Sequence, residues 1–219
     1  METTCQPGLQ TRLGRGQIDT GHANLGESKL QGPGPNQGKQ LTAVELSGGE
    51  GHPPIVKSLL WKSEADTQLF AAALAGHPEL RHAFIELHGD LGAGKTTLVR
   101  HLLRALGVSG RIKSPTYAVV EPYELDAPST TQVGETGLFT VWHFDFYRFG
   151  DPREWEDAGF RDIFASRGLK LAEWPEKAAT LLPRADLVLR IEAQADDARV
   201  VTLTANTPTG ESLLEGLPG

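Results

Sequence analysis

Gly89-Asp90-Leu91-Gly92-Ala93-Gly94-Lys95-Thr96 is the stretch whose reading decides the fold. It spells G-x-x-x-x-G-K-[ST], the pattern of a phosphate-binding loop, and its flanks supply the right context. Upstream, Ala83-Phe84-Ile85-Glu86-Leu87-His88 is a short apolar run that ends at Gly89 and reads as a strand. Downstream, Leu98, Leu102 and Leu106 recur at helical spacing with Val99 and Leu103 beside them, and Gly107 follows as a helix stop. Strand, glycine loop and helix form the arrangement that the chemistry needs. Glycines let the backbone wrap a phosphate closely, and the loop N–H groups with the helix N-terminus present partial positive charge to it.

Working outward, the folded domain is expected over residues 55–205, with a disordered extension over 1–54 and a flexible tail over 206–219. The extension holds 11 Gly and 5 Pro and no aromatic residue, while all 15 aromatics of the chain fall between Trp61 and Trp174. Such a segment buries too little apolar surface to offset its ordering entropy. A start assigned too far upstream would read the same way. Within the domain, Ile55 to Trp61 reads as a strand. Ser63-Glu64-Ala65-Asp66 then reads as a helix N-cap with an acid at the third position. Tyr117 to Tyr123 and Phe139 to Phe146 read as further strands around a polar loop, and Pro152 to Phe164 as mostly helical. Leu169 to Trp174 is a short apolar strand, and Asp186 to Ile191 with Arg199 to Leu203 a closing pair. This alternation predicts an α/β, P-loop NTPase-like three-layer fold with a partly antiparallel mixed sheet.

Composition bounds the function. The net charge is -7 over 219 residues, whereas a chain that grips nucleic acid by itself is usually basic. The only cysteine is Cys5, which excludes an intramolecular disulfide and a cysteine metal cluster. No stretch is apolar for long enough to span a membrane, and the N-terminus does not read as a secretory signal. A cytoplasmic location is the expectation.

A phosphate loop implies partners in the same chain. Lys95 is expected to reach the β- and γ-phosphates of a nucleotide and act in catalysis, and Thr96 to offer its hydroxyl to Mg²⁺. An acid at the end of a nearby strand is then needed for the metal or its waters. Asp145 and Glu173 both qualify, each closing an apolar strand. Strand alternation puts Val141, His143 and Asp145 on one face and Trp142, Phe144 and Phe146 on the other. His143 fits either a hydrogen-bonded core residue or a ligand or base. Arg148 suits a phosphate or an acid. Trp174 suits a nucleotide cover or core packing. Ser114-Pro115-Thr116-Tyr117 offers two hydroxyls that could sense a γ-phosphate, as switch segments do, or could simply cap a loop.

Together, the loop through Thr97, Ser114-Pro115-Thr116-Tyr117, His143-Phe144-Asp145-Phe146-Tyr147-Arg148 and Glu173-Trp174-Pro175 resemble the TsaE (YjeE) family of bacterial ATPases over about residues 55 to 205. The resemblance implies nucleotide contacts from Gly89, Asp90, Leu91, Gly92, Ala93, Gly94, Lys95, Thr96 and Thr97. It places Thr96 and Glu173 on the metal side, makes Asp145 catalytic or the holder of a metal-bound water, and puts Ser114 and Thr116 in a switch-like segment. It further implies ATP and Mg²⁺ as ligands, slow hydrolysis, and work with the partner proteins TsaB and TsaD in making threonylcarbamoyladenosine in tRNA, with tRNA met indirectly through that complex. The long extension departs from the family pattern. A small-molecule kinase is the rival reading, with Arg148, Arg153, Arg161 and Arg167 as a possible lid. A regulatory GTPase would need an Asn-Lys-x-Asp guanine reader, which is absent. A nucleotide-dependent binding module without turnover uses the same parts.

Overall fold

The computed structural model describes residues 53–115, 117–126 and 138–217. Seven strands form one sheet: β1 (Ile55–Trp61), β2 (Phe84–His88), β3 (Val120–Asp126), β4 (Leu138–Asp145), β5 (Leu169–Glu173), β6 (Leu187–Ala193) and β7 (Arg199–Ala205). Five α-helices accompany them: α1 (Glu64–Ala75), α2 (Lys95–Ala105), α3 (Pro152–Asp157), α4 (Phe160–Ala165) and α5 (Pro208–Leu214). The strand order is β1-β7-β6-β2-β5-β4-β3. The four central strands β6, β2, β5 and β4 run parallel, and β1, β7 and β3 pair antiparallel at the flanks. The mixed sheet expected from the sequence is therefore present. Pro122 lies in β3, and β3 is an edge strand, where a residue without an N–H is tolerated.

Each face of the sheet has its own core. On one side Phe70 and Leu74 of α1, Leu98, Leu102 and Leu103 of α2, and Leu213 of α5 pack on Ile85, Leu87, Val141, Leu171 and Leu189. On the other, Phe144, Phe146, Phe149, Trp155 and Phe160 make an aromatic layer under α3 and α4. Phe144 and Phe146 stack at 5.5 Å and Phe160 meets Phe144 edge-on at 5.4 Å, arrangements that add about 0.5–1.5 kcal/mol per pair beyond the area buried. Val141 and Phe144 thus fall on opposite faces, as strand alternation requires.

Three local expectations are corrected. Residues 206–219, expected as a flexible tail, carry α5 instead. Thr207 caps it by accepting the Gly210 N–H at 3.2 Å, and Leu213, Leu214 and Leu217 are buried in the core. Gly210 is required there, because a Cβ would lie 1.9 Å from the Asp186 carbonyl oxygen. The strand expected from Tyr117 begins only at Val120, because Pro115 opens a turn in which Ala118 and Val119 both donate to its carbonyl and Val119 takes φ 64. The helical stretch from Pro152 breaks into α3 and α4 at Gly159, which takes φ 67. The polar loop expected after Asp126 falls outside the described residues over 127–137, and so does the expected extension over 1–52.

Candidate functional site

The site lies where the parallel strands β2, β4 and β5 end, the edge at which open α/β sheets bind ligands. The loop Gly89–Gly94 leaves β2 and turns straight into α2. Gly89 is held close to the sheet: it takes φ 139, and a Cβ there would lie 2.3 Å from the Ile191 carbonyl oxygen. Gly94 opens α2 in the left-handed region at φ 112. Gly89 is thus closed to a side chain by its neighbour, and Gly94 is required by its backbone conformation.

Lys95 is only 4 % exposed. Its Nζ donates to the carbonyls of Gly89 at 2.5 Å and Asp90 at 2.9 Å, and sits 3.9 Å from the centre of the Trp174 ring. Burial pushes its ammonium below the ordinary lysine range, and the negative charges of Glu173, Glu176 and Asp145 partly offset that. Thr96 donates its hydroxyl to Glu173 Oε2 at 2.7 Å. The other carboxylate oxygen, Oε1, meets His143 Nε2 at 2.9 Å. Asp145 and Glu173 are register partners on adjacent strands. Asp145 Oδ1 accepts the Tyr147 N–H at 3.1 Å, and Ser114 Oγ approaches Oδ2 at 3.5 Å.

These groups converge. A cavity of about 240 Å³ is lined by Gly92, Gly94, Lys95, Thr96 and Thr97 on one side and by Ser114, Asp145, Tyr147, Glu173 and Trp174 on the other. Leu91 stands at its rim, 79 % exposed. Ala93 is buried and donates its N–H to the Asp90 carbonyl at 3.1 Å. Asp145, Glu173, Lys95, Thr96 and Ser114 thus share one cavity, as the sequence suggested. Thr116 lies outside the described residues. Trp174 takes φ 55 and ψ 44 and packs on Tyr147 at 5.0 Å. A left-handed tryptophan costs about 1–3 kcal/mol and marks a constrained position. Arg148 stands over the exposed Tyr117 ring at 4.3 Å. Arg153 is tied to Asp151 at 2.7 Å and Arg161 to Glu156 at 3.8 Å, both on the surface, and among the described residues no arginine lines the cavity.

A second cavity, of about 300 Å³, opens on the other side of the loop. Gly92, Gly94 and Thr97 line both, and the rest of the second includes Trp61, Ser63, Thr67, Asp197 and Arg199. Sequence reasoning missed these last five and Tyr147. Trp61 and Thr67 read as strand end and helix interior, and nothing local brings the β6–β7 turn to the loop. Among the described residues, no three His, Cys, Asp or Glu side chains form a ready metal cage. The donors at the cavity are a hydroxyl and carboxylates, all hard oxygens, which suits Mg²⁺ held jointly with phosphates rather than by protein alone. No described helix is long and apolar enough to cross a membrane.

Comparison with known proteins gives the family. The model of the family described as threonylcarbamoyl adenosine biosynthesis protein TsaE matches residues 61–201. The chain is 42 % identical over 130 residues to the tRNA threonylcarbamoyladenosine biosynthesis protein TsaE of Haemophilus influenzae, covering 59 % of this chain and 75 % of that protein. It is 34 % identical over 133 residues to the Bacillus subtilis protein of the same name, covering 61 % and 76 %. The crystal structure of YdiB from Bacillus subtilis superposes with a TM-score of 0.56 at 26 % identity, covering 76 % of this chain and 96 % of that one. The chain belongs to the TsaE family of tRNA threonylcarbamoyladenosine biosynthesis.

Proposed function

We propose that the chain binds ATP with Mg²⁺ at Gly89–Thr97, hydrolyses it slowly, and thereby supports threonylcarbamoyladenosine modification of tRNA in the cytoplasm together with TsaB and TsaD. The observation that carries this reading is the convergence of Lys95, Thr96, Asp145 and Glu173 on one cavity at the strand ends. The loop N–H groups cradle the phosphates. Lys95 exchanges its two loop carbonyls for phosphate oxygens, and the Trp174 ring keeps water from its ammonium. Thr96 and Glu173, now hydrogen-bonded to each other, are the residues that would hold the metal. Asp145, fixed by the Tyr147 N–H, orients the attacking water and takes its proton. Bound Mg²⁺ would supply charge neutralisation between the phosphate oxygens. The nucleoside fits the second cavity, which the loop residues Gly92, Gly94 and Thr97 join to the first.

Slow turnover alone follows from the cation count. Phosphoryl transfer depends on positioning and on charge stabilisation. Arg148 stands against Tyr117, and among the described residues no arginine lines the phosphate cavity. The net charge of -7 supports a grip on tRNA that this chain does not make alone. Two measurements test the reading: ATP turnover with and without TsaB and TsaD, and threonylcarbamoyladenosine formation with this chain left out. Turnover indifferent to the partners, with modification continuing over many cycles in its absence, would overturn it and reopen the kinase reading.

A further inference from the structure

His143 is not needed by the mechanism above, yet it is completely buried on β4 beside the cavity. Its Nε2 meets Glu173 Oε1 at 2.9 Å, and its Nδ1 is buried with no hydrogen-bond partner. A carboxylate only accepts, so the shared proton sits on Nε2. The fold thus holds an Nε2–H donor against one oxygen of the Glu173 carboxylate.

The geometry points to His143 as a positioning residue for Glu173, one that fixes the carboxylate plane through Oε1 so that Oε2 faces Thr96 and a divalent cation. Three elements meet in this chain of contacts: Thr96 on α2, Glu173 at the tip of β5, and His143 on β4. Glu173 is 2 % exposed, so no solvent holds its free rotamer. When Thr96 leaves Glu173 for a metal, the His143 bond is the one described side-chain contact left to keep the carboxylate aimed. This inference rests on the Mg²⁺–ATP reading of the site.

The test measures metal directly. Mn²⁺ is titrated by electron paramagnetic resonance into the full chain bearing a non-hydrolysable ATP analogue, for wild type, His143→Leu and His143→Gln. Losing an outer partner of a metal-side ligand weakens metal affinity about 10–100-fold. His143→Leu is expected in that range, and His143→Gln, which keeps a donor, close to wild type. Analogue affinity measured in EDTA should stay within about twofold for all three, a split that a merely structural role would not produce. A folded His143→Leu with wild-type Mn²⁺ affinity overturns the inference, as does an equal loss of analogue binding with and without metal. Should His143→Leu fail to fold, ¹⁵N spectra of the wild-type imidazole decide, since an Nδ1–H tautomer is incompatible with the inference and an Nε2–H tautomer supports it. If the wild type shows no metal-dependent analogue binding, the ATP reading itself falls. If it does and His143→Leu matches it, only the role of His143 falls.

Discussion

Replacing Lys95 with methionine should leave the empty protein about as stable as before and nearly abolish its response to ATP. Without nucleotide, two terms oppose each other. The substitution strips donors from the Gly89 and Asp90 carbonyls, yet it also removes a charge from a site that disfavours it, as the lowered pKa records. Methionine keeps the apolar stem under Trp174. The unpaired carbonyls cost on the order of 1–3 kcal/mol and the removal of a disfavoured charge opposes that loss, so the melting temperature should move by only a few degrees. With nucleotide the terms no longer balance. A charge-assisted bond to phosphate is worth about 1.5–3 kcal/mol, and a loss of about 2.7 kcal/mol weakens binding roughly a hundredfold. At a ligand concentration of about 100 times the wild-type Kd, binding stabilises the wild type by about 2.7 kcal/mol. The variant, then near its own Kd, gains about 0.4 kcal/mol. For a domain of this size 1 kcal/mol shifts the midpoint by about 2–4 °C. A thermal-shift titration with Mg²⁺–ATP should therefore raise the wild type by roughly 5–11 °C and the variant by about 1 °C. An equal ATP-induced shift in both would refute the assignment of Lys95 to the phosphates.

Other outcomes follow from the same geometry. Asp145→Asn should lower kcat by at least about tenfold while changing the Kd for ATP by no more than about threefold, measured by single-turnover hydrolysis and analogue titration, because charge beside the metal matters most in the transition state. Gly210→Ala should cost about 1–3 kcal/mol in chemical denaturation, since its Cβ would strike the Asp186 carbonyl at 1.9 Å. Lys170 is buried, donates to the Ser166 carbonyl, and is held below the ordinary lysine value of 10.5 by desolvation. Between that lowered pKa and 10.5 the unfolded chain binds more protons than the folded one, so stability rises with pH across this window. Lys170→Met should flatten that rise and leave nucleotide affinity unchanged, as paired denaturation curves at neutral and alkaline pH would read out.

How far such residues can be found from sequence depends on whether their signal is local. The loop, its strand and α2 were legible because periodicity, glycine and lysine all fall within one short run. Ser63 was legible as a cap because Asp66 stands three residues on, and its carboxylate does accept the Ser63 N–H at 2.9 Å. Asp145 and Glu173 were legible as strand tips because each closes a short apolar run. Strand order was not, because hydrophobic period says nothing about which strand lies beside which. The helix α5 was misread because Pro208 and Gly210 look like breakers. The signal lay in Thr207 as a cap, with Pro208 in the first turn, where its missing N–H costs nothing.

The second cavity shows the boundary most plainly. Trp61, Thr67 and Arg199 come from β1, α1 and β7, and each has an ordinary local reason to be there. Only the antiparallel pairing of β1 with β7, which puts Trp61 opposite Arg199, brings them together beside the loop. Trp174 is a related case. Its place beside Glu173 was visible, but its left-handed backbone was not, since that conformation is unfavourable for a tryptophan taken alone. It is held there because Glu173 is fixed by Thr96 and His143 and the Glu173 carbonyl accepts the Phe146 N–H at 3.0 Å. The strain thus falls on the residue that joins Glu173 to the ring over Lys95. Any ligand that moves Lys95 off its loop carbonyls must also change what the Trp174 ring covers, so the two positions are physically coupled.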